Sequence, residues 1–408
     1  MHDFEHDFRI TSTPCRVYSG KNSLGDLPAE LKRNKAKRAY IICGRSVSRK
    51  TELIRNMQAL LGEACAGVYD EMGKDTPLPD VLAARDGARA AGADLLIAVG
   101  AGSVIQGVRI VAILLAEQGS PYELMTQYPE DGRAAISPRL MAPKLPIINV
   151  VTASTGAANR AGSPAKAEGL DHRMEFFDPK TRPVAMFWDE DALMTAPLSM
   201  MGGTAAYVFW RAAMNMGQVH ANPLVYYNRL QSFELILSTF DRLETPAARI
   251  DLCVASFLSN RQADDGGGRV NHWVTRVVYA FSAAIFHLYE HVGQGQVGAA
   301  LTPTVMRHLG YRDPQAMCNI ASALGVWTVG DAVESAPARA ADELERLFTG
   351  LGMPKNLTEC EVPQAGAEQI LQNCLKTFNV DPKQEFRREV PMLRELLLAC
   401  WGEQSGSR

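Results

Sequence analysis

No stretch of this 408-residue chain is apolar for long enough to cross a bilayer. Its longest apolar run, residues 108–116 (VRIVAILLA), falls far short of the roughly 20 residues that a spanning helix needs. There is no basic block and no Lys/Arg stripe, and the formal net charge is only −3, so a membrane and nucleic acid are both excluded as expected partners. The opening residues, MHDFEHDFRI, carry acids and no apolar core, unlike a secretory leader. None of the cysteines at 15, 43, 65, 253, 318, 360, 374 and 400 falls in a CxxC pair, so they are expected to be reduced, mostly buried thiols. Low-complexity linkers and repeats of fixed period are missing too. These absences leave a cytoplasmic chain that acts on a small molecule.

At 47% hydrophobic and 21% charged residues the composition is that of an ordinary globular protein, and its length suits two domains better than one core. The first half alternates strand and helix patterns. Short apolar strands are expected at residues 38–43, 94–99, 145–151 and 184–188, with helices over 50–61, 79–91 and from Val104 onward. After about residue 192 helical periodicity takes over, broken only locally, as at Asn222-Pro223 and Asp313-Pro314. We therefore expect an α/β domain over residues 1–190, with a mostly parallel sheet, and an all-helical domain over 191–408.

The clearest chemical signal is the turn Gly100-Ala101-Gly102-Ser103, set between a strong strand and a strong helix. Backbone N–H groups and the helix dipole meet a phosphate there, glycine lets the backbone approach it, and Ser103 is placed to cap the helix or donate to the anion. A tight strand–helix turn that needs glycine for geometry alone fits the same four residues.

The surroundings of this turn decide the matter by resemblance. DLLIAVGAGSVIQGVRIVAILLA, LPIINVVTASTGA, VAMFWDEDALMTAPLSMM, LTPTVMRHL and RLFTGLGMPKNLTECEV are similar, in the same order, to signature stretches of the iron-containing alcohol dehydrogenase family. The compact T-x-S-T-G-A turn resembles the maleylacetate reductase side of that family. The resemblance implies a dehydroquinate-synthase-like fold, a homodimer, and NADP or NAD in the interdomain cleft. Gly100, Ala101, Gly102 and Ser103 would hold its pyrophosphate, with Thr152, Ser154 and Thr155 alongside.

The resemblance also shows departures. The family holds Fe²⁺ or Zn²⁺ with one Asp and three His. The Asp and first His, four apart on a helix, fall here on Ala205 and Phe209; the last two fall on Ala280 and Gln294. One amide among alanines and a phenylalanine cannot hold a divalent cation, so no metal is expected. After the first expected strand, where many members carry an Asp for the adenosine ribose, the chain reads Gly44-Arg45-Ser46. This favours NADP, since no carboxylate repels a 2′-phosphate.

With no metal, a proton donor or fixed cation must meet the charge that hydride transfer leaves on a carbonyl oxygen. His287 and His291, i and i+4, are the expected acids, with Tyr207 in reserve. Arg211, Gln294, Tyr279 and Arg173 are expected to bind substrate. The resulting expectation is a metal-independent NAD(P)H-dependent oxidoreductase that reduces a small carbonyl or enol compound, such as a keto acid. Two alternatives stay open: a degenerate, non-catalytic dinucleotide-binding member, and a non-redox enzyme that reuses the cleft.

Overall fold

The computed structural model describes residues 4–129, 133–170, 172–268, 272–377 and 379–402. Among the described residues eight strands form: Arg16–Gly20 (β1), Ala39–Cys43 (β2), Cys65–Tyr69 (β3), Leu95–Gly100 (β4), Ile147–Val151 (β5), Gly162–Ala165 (β6), Met174–Phe177 (β7) and Ala185–Asp189 (β8). Six of them make one sheet in the order β1-β8-β5-β4-β2-β3, every neighbouring pair parallel. The four inner strands are buried along their whole length, which is why they read as unbroken apolar runs. The edge strands β1 and β3, and the antiparallel hairpin β6–β7, are only partly covered and went unrecognised in the sequence.

Six helices belong to this half: Leu27–Arg33 (α1), Arg45–Lys50 (α2), Leu53–Leu61 (α3), Leu78–Ala90 (α4), Gly102–Ala116 (α5) and Pro121–Leu124 (α6). The single helix expected over 50–61 is split between α2 and α3. Thr51 is extended between them, its hydroxyl donating to Val47 O at 2.6 Å and accepting from Leu53 N–H, so the side chain replaces the helix's own bonding. From β2 the chain runs outward to β3, then returns to place β4 on the other side of β2. This reversal opens a crevice at the carboxyl ends of β2 and β4, where Gly44 and Gly100 lie.

Ten helices follow: Glu190–Met194 (α7), Leu198–Met216 (α8), Pro223–Leu237 (α9), Pro246–Arg261 (α10), Trp273–Leu288 (α11), Gln294–Leu309 (α12), Pro314–Ala323 (α13), Ala336–Gly350 (α14), Ala367–Cys374 (α15) and Val390–Ala399 (α16). Their starts are written locally. Asn222 and Thr245 accept from the N–H groups of Val225 and Ala248, each with Pro in the first turn, and His272 caps α11 by accepting from Thr275 N–H. Helix α11 begins at Trp273. At the centre α12 crosses α8 so closely that a Cβ on Gly295 would sit 1.9 Å from Gly203 O. Phe209 packs here among Phe233, Phe240 and Phe348, with ring centroids 5.2–5.8 Å away.

The start of the chain crosses the expected boundary: Phe4 packs edge-on against Tyr226, and Thr11 N–H donates to Asp264 O at 2.7 Å. All eight cysteines are free and six are buried. Among the described residues no helix is long and apolar enough to cross a membrane.

Edge strand β1 is stapled to α1 by one buried carboxylate. Glu30 accepts from Arg16 at 2.6 and 2.7 Å and from the Tyr18 hydroxyl at 2.6 Å. Burial alone would raise its pKa, but the bonds from Arg16 and Tyr18 prevail and hold it at about 2. A carboxylate whose folded pKa is depressed stabilises the fold above its unfolded value, about 4.3, and that contribution fades as pH falls toward the folded value. Glu30→Gln should therefore cost on the order of 2–3 kcal/mol at neutral pH, measured by urea unfolding, and the gap from wild type should narrow toward about pH 2.

Candidate active site

Helix α5 starts at Gly102 with Ala101 as N-cap and no side-chain cap, so its first N–H groups are left to the crevice for an anion. Gly100 is glycine for packing: a Cβ would lie 2.7 Å from Val104 Cγ2. At Gly102 a Cβ would lie 3.2 Å from Thr155 Oγ1, which puts the turn after β5 directly across from the glycine turn. Ser103, one of two roles for which was the helix cap, lies instead inside the first turn. Its Oγ accepts from Asp75 N–H at 3.0 Å, leaving its own proton uncommitted by that bond.

The second turn is braced from three sides. Ser154 Oγ donates to Leu252 O and Ser256 Oγ to Thr155 O, both at 2.8 Å, fixing the turn to α10. Arg109, buried in α5, donates to the carbonyls of Ala157 and Gly162, and Asn149 Nδ2 donates to Ala158 O. Thr152 and Ser154 are thus buried supports, and Thr155 alone of the three is half-exposed beside Gly102. At the far end of the crevice Gly44 caps α2, and Arg45 and Ser46 are exposed. Arg45 and Arg49 both pair with Glu71, which follows β3. That carboxylate was missed because β3 was.

Helix α8 has two faces, and this corrects the expected register. Ala205 and Phe209, the expected counterparts of the metal-binding pair, are fully buried in the helical core. Tyr207 and Arg211, also four apart, face the cleft: a Cβ on Gly156 would lie 2.4 Å from Arg211 Nη1 and 3.5 Å from Tyr207 Cε1. Arg211 Nη1 donates to Asn260 Oδ1 at 3.0 Å, and Asn260 Nδ2 to Asn159 Oδ1 at 2.6 Å, so the guanidinium is fixed across the domain boundary. Ala280 lies on the face of α11 that carries Tyr279, Ala283 and Ala284, and Gln294 opens α12. A phenol, a guanidinium, a methyl and an amide do not fit a divalent cation: the guanidinium has no lone pair to give and its charge repels. Among the described residues no group of three or more His, Cys, Asp or Glu is placed to hold a metal ion.

The two expected histidines do not share a helix face. His287 is buried with Nδ1 3.1 Å from Asp75 Oδ2. His291 is exposed, because α11 stops at Leu288 and Lys74 Nζ takes the carbonyls of Glu290 and Val292 that a longer helix would have used. Asp75 also holds Arg173, Nη2 to Oδ1 at 2.6 Å, and Arg173 lies 4.9 Å from the Phe286 ring centre. Between the β6–β7 hairpin, α11 and the segment after α15 is a narrow cleft lined by Tyr128, Arg173, Glu175, Tyr279, Ala284 and Lys376. Asn379 Nδ2 donates to the Tyr279 hydroxyl at 3.2 Å. Tyr128 and Glu175 were not singled out in the sequence, since neither sits in a motif.

The structure thus joins a parallel sheet, with a glycine turn at its reversal point, across a cleft to a helical half. Comparison with known proteins places it. The model described as "Iron-containing alcohol dehydrogenase" matches residues 14–190, and "Fe-containing alcohol dehydrogenase family, C-terminal" matches 215–394. The chain belongs to the iron-containing alcohol dehydrogenase family. The interval between the two matches holds most of α8, with Tyr207 and Arg211. It is 29% identical over 192 residues to maleylacetate reductase 2 of Cupriavidus pinatubonensis, a match spanning 44% of this chain and about half (52%) of that relative. It is 23% identical to long-chain-alcohol dehydrogenase 1 of Geobacillus thermodenitrificans over 89% of both chains. The fold superposes on an alcohol dehydrogenase from Oenococcus oeni with a TM-score of 0.81 at 17% identity, covering 97% of this chain and all of that one.

The facing turns make a direct prediction. Gly102→Val would crowd Thr155 and block approach to the helix N-terminus, so it should abolish NADPH and NADH binding by calorimetry while leaving thermal unfolding nearly unchanged. Undiminished affinity would show that the turn serves geometry alone.

Proposed function

We propose that the chain is an NAD(P)H-dependent reductase of a small carbonyl or enol compound that works without a divalent metal. The observation that carries this reading is the Arg211 guanidinium lying on Gly156, with Tyr207 beside it, where the family's metal-binding pair would face the cleft. Hydride arriving at a carbonyl carbon leaves negative charge on oxygen, and a fixed cation with an adjacent hydroxyl stabilises that charge without reorganising. A dinucleotide with its pyrophosphate on Gly100–Ser103 would run past Thr155 toward Gly156, bringing the nicotinamide to Arg211. The likeness to a maleylacetate reductase supports a keto acid as substrate, its carboxylate drawn to Arg211.

At the adenosine end, the guanidinium groups of Arg45 and Arg49 share Glu71 and can turn to a 2′-phosphate, while Asp70, which accepts from Ser48 Oγ at 2.7 Å, balances the charge there. NADPH should bind more tightly than NADH by about 1–2 kcal/mol, a charge-assisted hydrogen bond or two. The non-catalytic reading rests on the missing metal donors alone.

The test is NADPH oxidation with a panel of 2-oxo acids and aldehydes, in the presence of a chelator. Wild type should turn over. Arg211→Ala should raise KM for substrate while NADPH affinity is kept, and Arg45→Ala should erase the preference for NADPH. Dinucleotide binding with no turnover on any compound would favour the non-catalytic reading.

A further inference from the structure

The reductase reading leaves the source of the proton open. Strand β7 offers a candidate. Along it Met174 and Phe176 are buried in the α/β core, while Arg173 and Glu175, two apart, share the opposite face and line the interdomain cleft. The strand is held in place by its pairing with β6 and by Thr126 N–H, which donates to Glu175 O at 2.7 Å. Lining the cleft with Glu175 are Tyr128 from the segment before β5, Tyr279 from α11, Lys376 from the segment after α15, and Arg173 and His172 from its own hairpin. Asp75, from the loop after β3, adds its charge from behind Arg173.

Arg173 would be the natural ion-pair partner for Glu175, but Asp75 takes it with contacts at 2.6 and 3.3 Å. Among the described residues Glu175 therefore has no salt bridge. Burial raises its pKa, the negative charge of Asp75 adds to this, and Arg173 only partly opposes it; the outcome is about 7. A carboxyl group poised near neutrality beside a cleft has the property a general acid needs. Tyr279 ties this wall to the other one: its phenol lies within electrostatic reach of both Glu175 and Tyr207.

We propose that Glu175 is a catalytic residue of this cleft, the acid whose carboxyl proton passes to the substrate oxygen as hydride reaches the adjoining carbon. The proposal rests on the reductase reading. The step balances: the C4–H bond of the reduced nicotinamide breaks with its electron pair and becomes the new C–H bond. The carbonyl π pair moves to oxygen, and oxygen takes the Glu175 proton. Nicotinamide is oxidised, the carbonyl is reduced to an alcohol, and the Glu175 carboxylate regains its proton from water.

The experiment measures NADPH oxidation with the same 2-oxo acids and aldehydes from about pH 5.5 to 9, for wild type, Glu175→Gln and Glu175→Asp, with NADPH affinity alongside. Wild-type kcat should fall roughly tenfold per pH unit above about pH 7, where Glu175 loses its proton. Glu175→Gln should lose about 10²–10⁴ in kcat and all of that pH dependence, and keep its NADPH affinity. Glu175→Asp should keep the pH-dependent shape at a lower rate. A Glu175→Gln enzyme that turns over like wild type with an unchanged pH profile overturns the proposal and leaves the reductase reading standing. Wild-type protein that binds NADPH but oxidises none of it overturns both.

Discussion

Everything in the candidate site depends on a guanidinium laid against a glycine. Arg211 reaches from α8 to Gly156, where any side chain would strike it, and is held there by Asn260. That contact requires Gly156 to lack a Cβ, α10 to present Asn260, and α8 to keep its apolar face in the helical core so that Tyr207 and Arg211 are turned outward. In the proposed reading, the positive charge that a metal would bring is part of the chain. A guanidinium stays charged at any physiological pH and stabilises an oxyanion through N–H donors in a fixed plane. What it cannot do is acidify a bound water or alcohol, so in that reading the proton comes from a side chain.

A second knot, around Asp75, sets the rest of the geometry. Asp75 and Thr76 both adopt left-handed backbone angles, with φ of 59° and 56°, a conformation that costs non-glycine residues on the order of 1 kcal/mol each. The surroundings hold them there. Asp75 N–H and the Thr76 hydroxyl bond to Ser103 on the glycine turn, while the Asp75 carboxylate takes Arg173 from the hairpin and His287 from α11. One loop thus joins the phosphate turn, the wall that carries Glu175 and the helical domain. Because Asp75 takes Arg173 in this knot, Arg173 opposes only in part the burial that raises the Glu175 pKa. His287, which sequence spacing offered as an acid, is bound to Asp75 in the same knot.

The inner strands, the glycine turn and the helical half were legible in the sequence because each follows from a single rule: continuous burial, a strand–glycine–helix junction, or 3.6-residue periodicity with local caps. The edges were not. β1, β3 and the hairpin are short and half-covered, and β3 contains a glycine, so no apolar run marks them. Glu71 and Glu175 stayed hidden with them. On α8 the difficulty was different. The stretch around Ala205–Phe209 is apolar or aromatic on every side, so spacing alone did not say which pair four apart looks into the cleft. Only the approach of Gly156 to Arg211 and Tyr207 does. Arg211 itself was legible, as the one charge on an apolar helix. His291 was misplaced because the end of α11 is set by Lys74, distant in sequence.

The central claim is that a side-chain cation has taken over the place of the metal, and metal content tests it most directly. Protein purified without chelator and loaded with iron or zinc, then desalted, should carry far less than one metal ion per chain by elemental analysis, and should bind NADPH equally with and without chelator. Near-stoichiometric iron or zinc that disappears on substituting Tyr207, Arg211 or Gln294 would contradict it.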